Sequence, residues 1–195
     1  PSLSSVELPL EIVRPTALRT TTKSSPPTHF IQQLKYHNGV FVTPVTLGVD
    51  ASRNTSRVIW CVVDTGSELL VVSNHTCVSE GDCAEERGFY VQSNTYRAEM
   101  NDENDENLEI IHYGSQKDTV VPSSDILSLW SGDEDDQQVV FQTRLHFGLV
   151  KERQGSSNYN IMGLLNPQRV SSSNIEPFLS KLHSHLAKKC FSIFM

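Results

Sequence analysis

One carboxylate stands out by its setting. Asp64 follows the apolar run Val58-Ile59-Trp60-Cys61-Val62-Val63 and precedes Thr65-Gly66-Ser67-Glu68. A second apolar run, Leu69-Leu70-Val71-Val72, begins at once. Two short β-type runs joined at Asp-Thr-Gly predict a strand, a tight loop and another strand. Gly66 lets the loop backbone crowd the carboxylate. Backbone N–H groups and the hydroxyls of Thr65 and Ser67 are then in reach to orient Asp64 and favour its charged form. An Asx-type turn is the plainer reading of the tripeptide alone. The flanking apolar runs argue for more, because a hairpin-turn carboxylate seldom sits between two buried strands. The chemistry open to such a group is acid–base work on a bound substrate.

The chain that must position Asp64 has 195 residues, 37% hydrophobic and 20% charged, with a formal net charge of −7. That is one globular domain, or one with a tail, long enough to bury a real core. The acidic balance and the lack of a Lys/Arg cluster argue against a nucleic-acid partner. No apolar run approaches the roughly 20 residues needed to span a bilayer.

Cys77 and Cys83 bracket the polar residues 78–82, a spacing that suits a small disulfide loop. A metal reading is weak, since only His75 lies near them as a further ligand. Cys61 and Cys190 lie in apolar runs and read as buried thiols. Asn54-Thr55-Ser56 and Asn74-His75-Thr76 are glycosylation sequons. Together with the Cys loop they point to an oxidising, secreted or lumenal setting.

In order along the chain, residues 1–29 are rich in Ser, Thr and Pro and read as an extension or an early edge strand. Asn38-Gly39 predicts a tight turn ahead of the alternating Val40, Val42, Val45 and Leu47. Residues 101–107 hold no apolar side chain and predict a solvated loop; the spacing and glycine of a calcium loop are missing. The run ending His112-Tyr113 and the run from Thr119 to Trp130 predict a hairpin around Gly114-Ser115. A second acidic turn leads into an alternating strand over residues 139–150. Residues 174–186 predict the single helix, capped by Asn174, with Phe178, Leu179, Leu182 and Leu186 on one face. His183 and His185 point to different faces and read as solvated rather than as ligands.

Val62-Val63-Asp64-Thr65-Gly66-Ser67 resembles the catalytic loop in the N-terminal lobe of pepsin-like aspartic endopeptidases. Further pieces follow in that family's order: the Cys loop; Phe89, Ser93, Thr95 and Tyr96; Tyr113-Gly114-Ser115; Asp125 twelve residues on; Phe147-Gly148-Leu149; Ile161-Met162-Gly163-Leu164; and Cys190-Phe191-Ser192-Ile193-Phe194. The resemblance implies an all-β lobe of packed, Greek-key-like sheets with one short C-terminal helix over residues 30–195, and leaves residues 1–29 as an extension or prosegment remnant. It implies hydrolysis of polypeptides by a water held between two aspartates, with no cofactor or metal. Asp64 would be one aspartate, Thr65, Gly66 and Ser67 its supporting loop, and Tyr113, Gly114 and Ser115 a flap over the substrate.

There are departures. Val71 stands where the family has tryptophan, Gln116 where a second flap glycine is usual, Tyr159-Asn160 in place of Asp-Gly, and Glu68 in place of a small residue. No second Asp-Thr-Gly occurs. The chain is therefore expected to be one lobe or chain of a larger protease, a lobe that pairs with itself, or a non-catalytic relative that binds peptides or proteins.

Overall fold

The computed structural model describes residues 34–48, 58–81, 83, 88–100, 105–114, 116–131, 138–155, 159–165 and 174–183. The extension 1–29, Asn54, Ser115, His185, Leu186, Cys190 and the expected last strand lie outside these residues, as do most of both acidic runs.

The described residues are mostly strand, as the alternating apolar patterns predict. β1 (Lys35–His37) turns into β2 (Val40–Leu47) through Asn38 and Gly39, both at positive φ (48° and 86°), which is the backbone an Asn-Gly hairpin needs. β3 (Val58–Asp64) pairs antiparallel with β2 and ends on the candidate carboxylate. β4 (Leu70–Ser73) follows the Asp64 loop. Helix α1 (His75–Ser79), β5 (Arg97–Ala98) and β6 (Glu109–Tyr113) precede the long antiparallel pair of β7 (Gln116–Ser131) and β8 (Gln138–Gln154). β9 (Asn160–Gly163) and helix α2 (Phe178–His183) complete the described elements.

The sheet is one mixed sheet in the order β1-β2-β3-β9-β4-β8-β7-β5, with β6 also on β7. Thr46 and Leu47 of β2 pair with Ser128 and Leu127 of β7, so β2, β3, β9, β4, β8 and β7 form a closed ring. The expected packed sheets are thus a single sheet that curls back on itself. Closure removes edges that antiparallel stacking would leave.

Alternation along β4 explains the core. Leu70 and Val72 point into the main cluster with Val45, Ile59, Leu127, Phe147 and Leu149. Leu69 and Val71 point the other way, into a smaller cluster with Cys77, Cys83, Val120, Val150 and Ile175. All four residues of β4 are buried, which a continuous apolar run predicts for a strand covered on both faces. Within α2, Phe178, Leu179 and Leu182 are buried as the helical spacing requires.

Helix α1 was not foreseen. Asn74 caps it, its side chain accepting the Cys77 N–H at 2.6 Å, and the Cys77 and Cys83 sulfurs lie 1.97 Å apart, at disulfide distance. Asn74 is only 7% exposed and its side chain is committed to the cap, so it has the setting of a structural residue. No helix among the described residues is long and apolar enough to cross a membrane.

Candidate active site

The loop after Asp64 is not a hairpin turn, although it contains the Asx-type bond of one: the Gly66 N–H donates to Asp64 Oδ1 at 2.8 Å. β9 passes between the two strands the loop connects. It runs parallel to β3, with Asp64 opposite Gly163, and antiparallel to β4, with Val71 opposite Ile161. Three bonds close the crossing: Gly163 N–H to Leu69 O at 2.9 Å, Leu164 N–H to Asp64 O at 2.7 Å, and Leu165 N–H to Ser67 O at 2.8 Å. The Phe178 N–H at the start of α2 donates to Glu68 O at 2.8 Å. Asp64 is therefore half-buried on a backbone held by two separate elements.

Gly163 makes the crossing possible. A Cβ there would lie 2.5 Å from Leu69 N and 2.6 Å from both Glu68 C and Ser67 O. Asn160 supports it from the far end of β9. It is 1% exposed, accepts the Ser73 N–H at 2.7 Å, and donates to Gly88 O at 3.0 Å and Trp60 O at 3.3 Å. The sequence showed Asn160 only as a departure from a family pattern. Its position directly before Ile161-Met162-Gly163 is the one signal that could have marked it.

The hairpin of β6 and β7 forms the opposite wall, with Tyr113 paired to Gln116 around the turn and Gly114 at φ 51°. Between the walls is a cleft of about 430 Å³, lined by Asp64, Ser67, Glu68, Ile111, His112 and Tyr113 among others. The structure thus brings together Asp64, Gly66, Ser67, Tyr113 and Gly114. Thr65 is exposed beside them.

One expected contact is not made. Ser67 Oγ is buried without a hydrogen-bond partner and does not reach the carboxylate, whose Oδ1 is taken by the Gly66 N–H. Tyr113 Oη is likewise buried and unpartnered, while Val71 is packed into the smaller cluster and offers no donor. Burial, followed by the nearby carboxylates of Asp118 and Asp64, pushes the Tyr113 hydroxyl well above its ordinary pKa; the Arg153 guanidinium opposes this. The hydroxyl stays neutral and keeps its proton to donate. Both hydroxyls belong to residues that line the cleft but are themselves buried, and an unsatisfied buried group costs about 1–3 kcal/mol.

Beyond the cleft, Asp125 is fully buried and accepts hydrogen bonds from Tyr90 Oη, Ser93 Oγ (2.8 Å), Thr95 Oγ1 and the Ile126 N–H (2.7 Å). This network ties residues 90–95 to β7 and gives Asp125 a structural role. Cys61 is a buried thiol, as its apolar run predicts, and burial pushes its pKa far up. No protein-family model matches the chain, and no curated protein matches it significantly.

Proposed function

We propose that this chain is one lobe of a pepsin-like aspartic endopeptidase, spanning residues 30–195. The observation that carries the reading is a single carboxylate, Asp64, held where β9 crosses between β3 and β4, beneath a hairpin that presents Tyr113. A carboxylate clamped from both sides and open to a cleft suits an acid–base role better than a surface turn does.

Asp64 would share a proton with a second carboxylate from another lobe or chain. Like charges so close do not both ionise, so one group acts as acid and the other as base toward a water between them. That water attacks the peptide carbonyl, and Tyr113 and Gly114 of the hairpin, with Ser115, would hold the polypeptide substrate. The Cys77–Cys83 pair fits a secreted or lumenal setting, where such bonds persist.

A second reading, a lobe that binds peptides without cleaving them, draws on the fact that no carboxylate among the described residues bonds to Asp64. One experiment separates the two. The chain, with any chain that co-purifies, is assayed on an unfolded protein at acid pH. Cleavage blocked by a statine-type peptide and lost in Asp64→Ala supports the endopeptidase. Cleavage that persists in Asp64→Ala refutes it, and peptide binding without cleavage supports the second reading.

A further inference from the structure

A fully buried ion pair lies on the hairpin, and neither of its residues lines the cleft. Arg153 of β8 grips Asp118 of β7 with both arms of its fork, Nε to Oδ1 at 2.9 Å and Nη2 to Oδ2 at 2.8 Å. Its remaining nitrogen, Nη1, donates to Ser73 Oγ at the end of β4 (3.3 Å). Gln116 Nε2 donates to Asp118 Oδ2 at 2.8 Å. Gln116, Asp118 and Arg153 are 2%, 0% and 5% exposed.

A buried pair of this kind gives little net stability over apolar residues of the same volume, because desolvation offsets the attraction. What it does give is direction, since a planar fork on a carboxylate fixes both partners in one geometry. Here the fixed geometry concerns the flap-like hairpin. Gln116 is opposite Tyr113 and Asp118 is opposite Ile111, so the polar chain lies on the same face of the hairpin as these two cleft-lining β6 residues and packs beside them. At its other end is Ser73, three residues past Leu70, where the strand leaving the Asp64 loop begins.

We propose that Gln116, Asp118 and Arg153 are positioning residues, a buried polar chain that pins the β6–β7 hairpin to β8 and β4 and so sets Tyr113 over the Asp64 cleft. The pin stands on its own geometry, and its effect on peptide affinity rests on the proposed function above. The hairpin is thereby ordered before a peptide arrives, and binding does not have to order it.

The test compares wild type, Gln116→Gly and the double variant Asp118→Leu/Arg153→Met by amide hydrogen exchange of the full chain. Exchange across residues 109–113 is expected to quicken roughly tenfold or more in both variants, with residues 58–64 and 160–163 unchanged. The ring resonance of labelled Tyr113, assigned with Tyr113→Phe, shifts in both, and affinity for a statine-type peptide falls by a similar factor. Unchanged exchange in β6, or an equal rise in β3 and β9, overturns the proposal. Should the double variant fail to fold, Gln116→Gly alone decides. A wild type that binds no peptide counts against the endopeptidase reading, and the exchange result still decides the pin.

Discussion

A single methyl group at Gly163 tests the crossing most directly. In Gly163→Ala the new Cβ would begin 2.5 Å from Leu69 N and 2.6 Å from Glu68 C and Ser67 O. All three are backbone atoms of the Asp64 loop, so no side-chain rotation relieves the clash. Reaching ordinary contact at 3.4 Å moves the loop or β9 by about 0.9 Å. Overpacking of a well-filled site costs about 1–3 kcal/mol. The bonds at 2.7–2.9 Å from Gly163, Leu164 and Leu165 to this loop would stretch as well, each worth about 1 kcal/mol. The expected loss is therefore about 3 kcal/mol, a large share of the stability of a typical domain. Urea unfolding reads it as a lowered midpoint with an unchanged slope. A displacement near 1 Å also costs on the order of 100-fold in any cleavage that depends on Asp64. Gly114→Ala is the control: no atom lies within 4 Å of its added Cβ, and only its φ of +51° is strained, for about 1–2 kcal/mol. A Gly163→Ala protein within about 0.5 kcal/mol of wild type would refute the account of how Asp64 is held.

Asp125→Asn turns one of two acceptor oxygens into a donor facing Tyr90, Ser93 and Thr95; a loss of about 2–4 kcal/mol is expected in thermal unfolding, against about 1 kcal/mol for Tyr90→Phe. Cys61 is expected to resist thiol reagents until denaturant is added, as read by mass mapping of the labelled residue. Because burial raises the Cys61 pKa in the folded state, the folded chain keeps a proton that the unfolded chain releases. Its stabilising contribution is complete below about pH 8.5 and then falls by about 1.4 kcal/mol per pH unit, a slope that Cys61→Ala removes.

Local pattern carried the strands well. The Asn38-Gly39 turn, β3 ending on Asp64, the all-buried β4 and the turn at Gly114 each follow from alternation or turn chemistry over a few neighbouring residues. What the sequence did not give away is pairing. That Gly163 lies beside Asp64 is implied only by the family resemblance of Ile161-Met162-Gly163-Leu164, because parallel pairing across so long a separation leaves no local mark. Asp118 and Arg153 read as two more polar positions in alternating strands; only the register that sets them opposite each other makes them a pair. Helix α1 was hidden because five residues span barely more than one turn, too few for a 3.6-residue repeat to show, and its capping residue also opens a sequon.

The departures from the family pattern are where the two levels of reading meet. Gln116, Asn160 and Val71 differ from the pattern that the sequence otherwise resembles. Two of them are buried amides with their bonds made: Gln116 donates to Asp118 within β7, and Asn160 bridges Ser73, Trp60 and Gly88. A buried amide is tolerated only where its bonds are made, so each must have been accommodated together with its partners. Val71 is the converse case. It fills the smaller cluster against which Tyr113 packs and leaves that hydroxyl with no protein partner. The frame around Asp64 is thus closed by polar bridges, while the hydroxyls of two cleft-lining residues, Ser67 and Tyr113, lie buried without a partner.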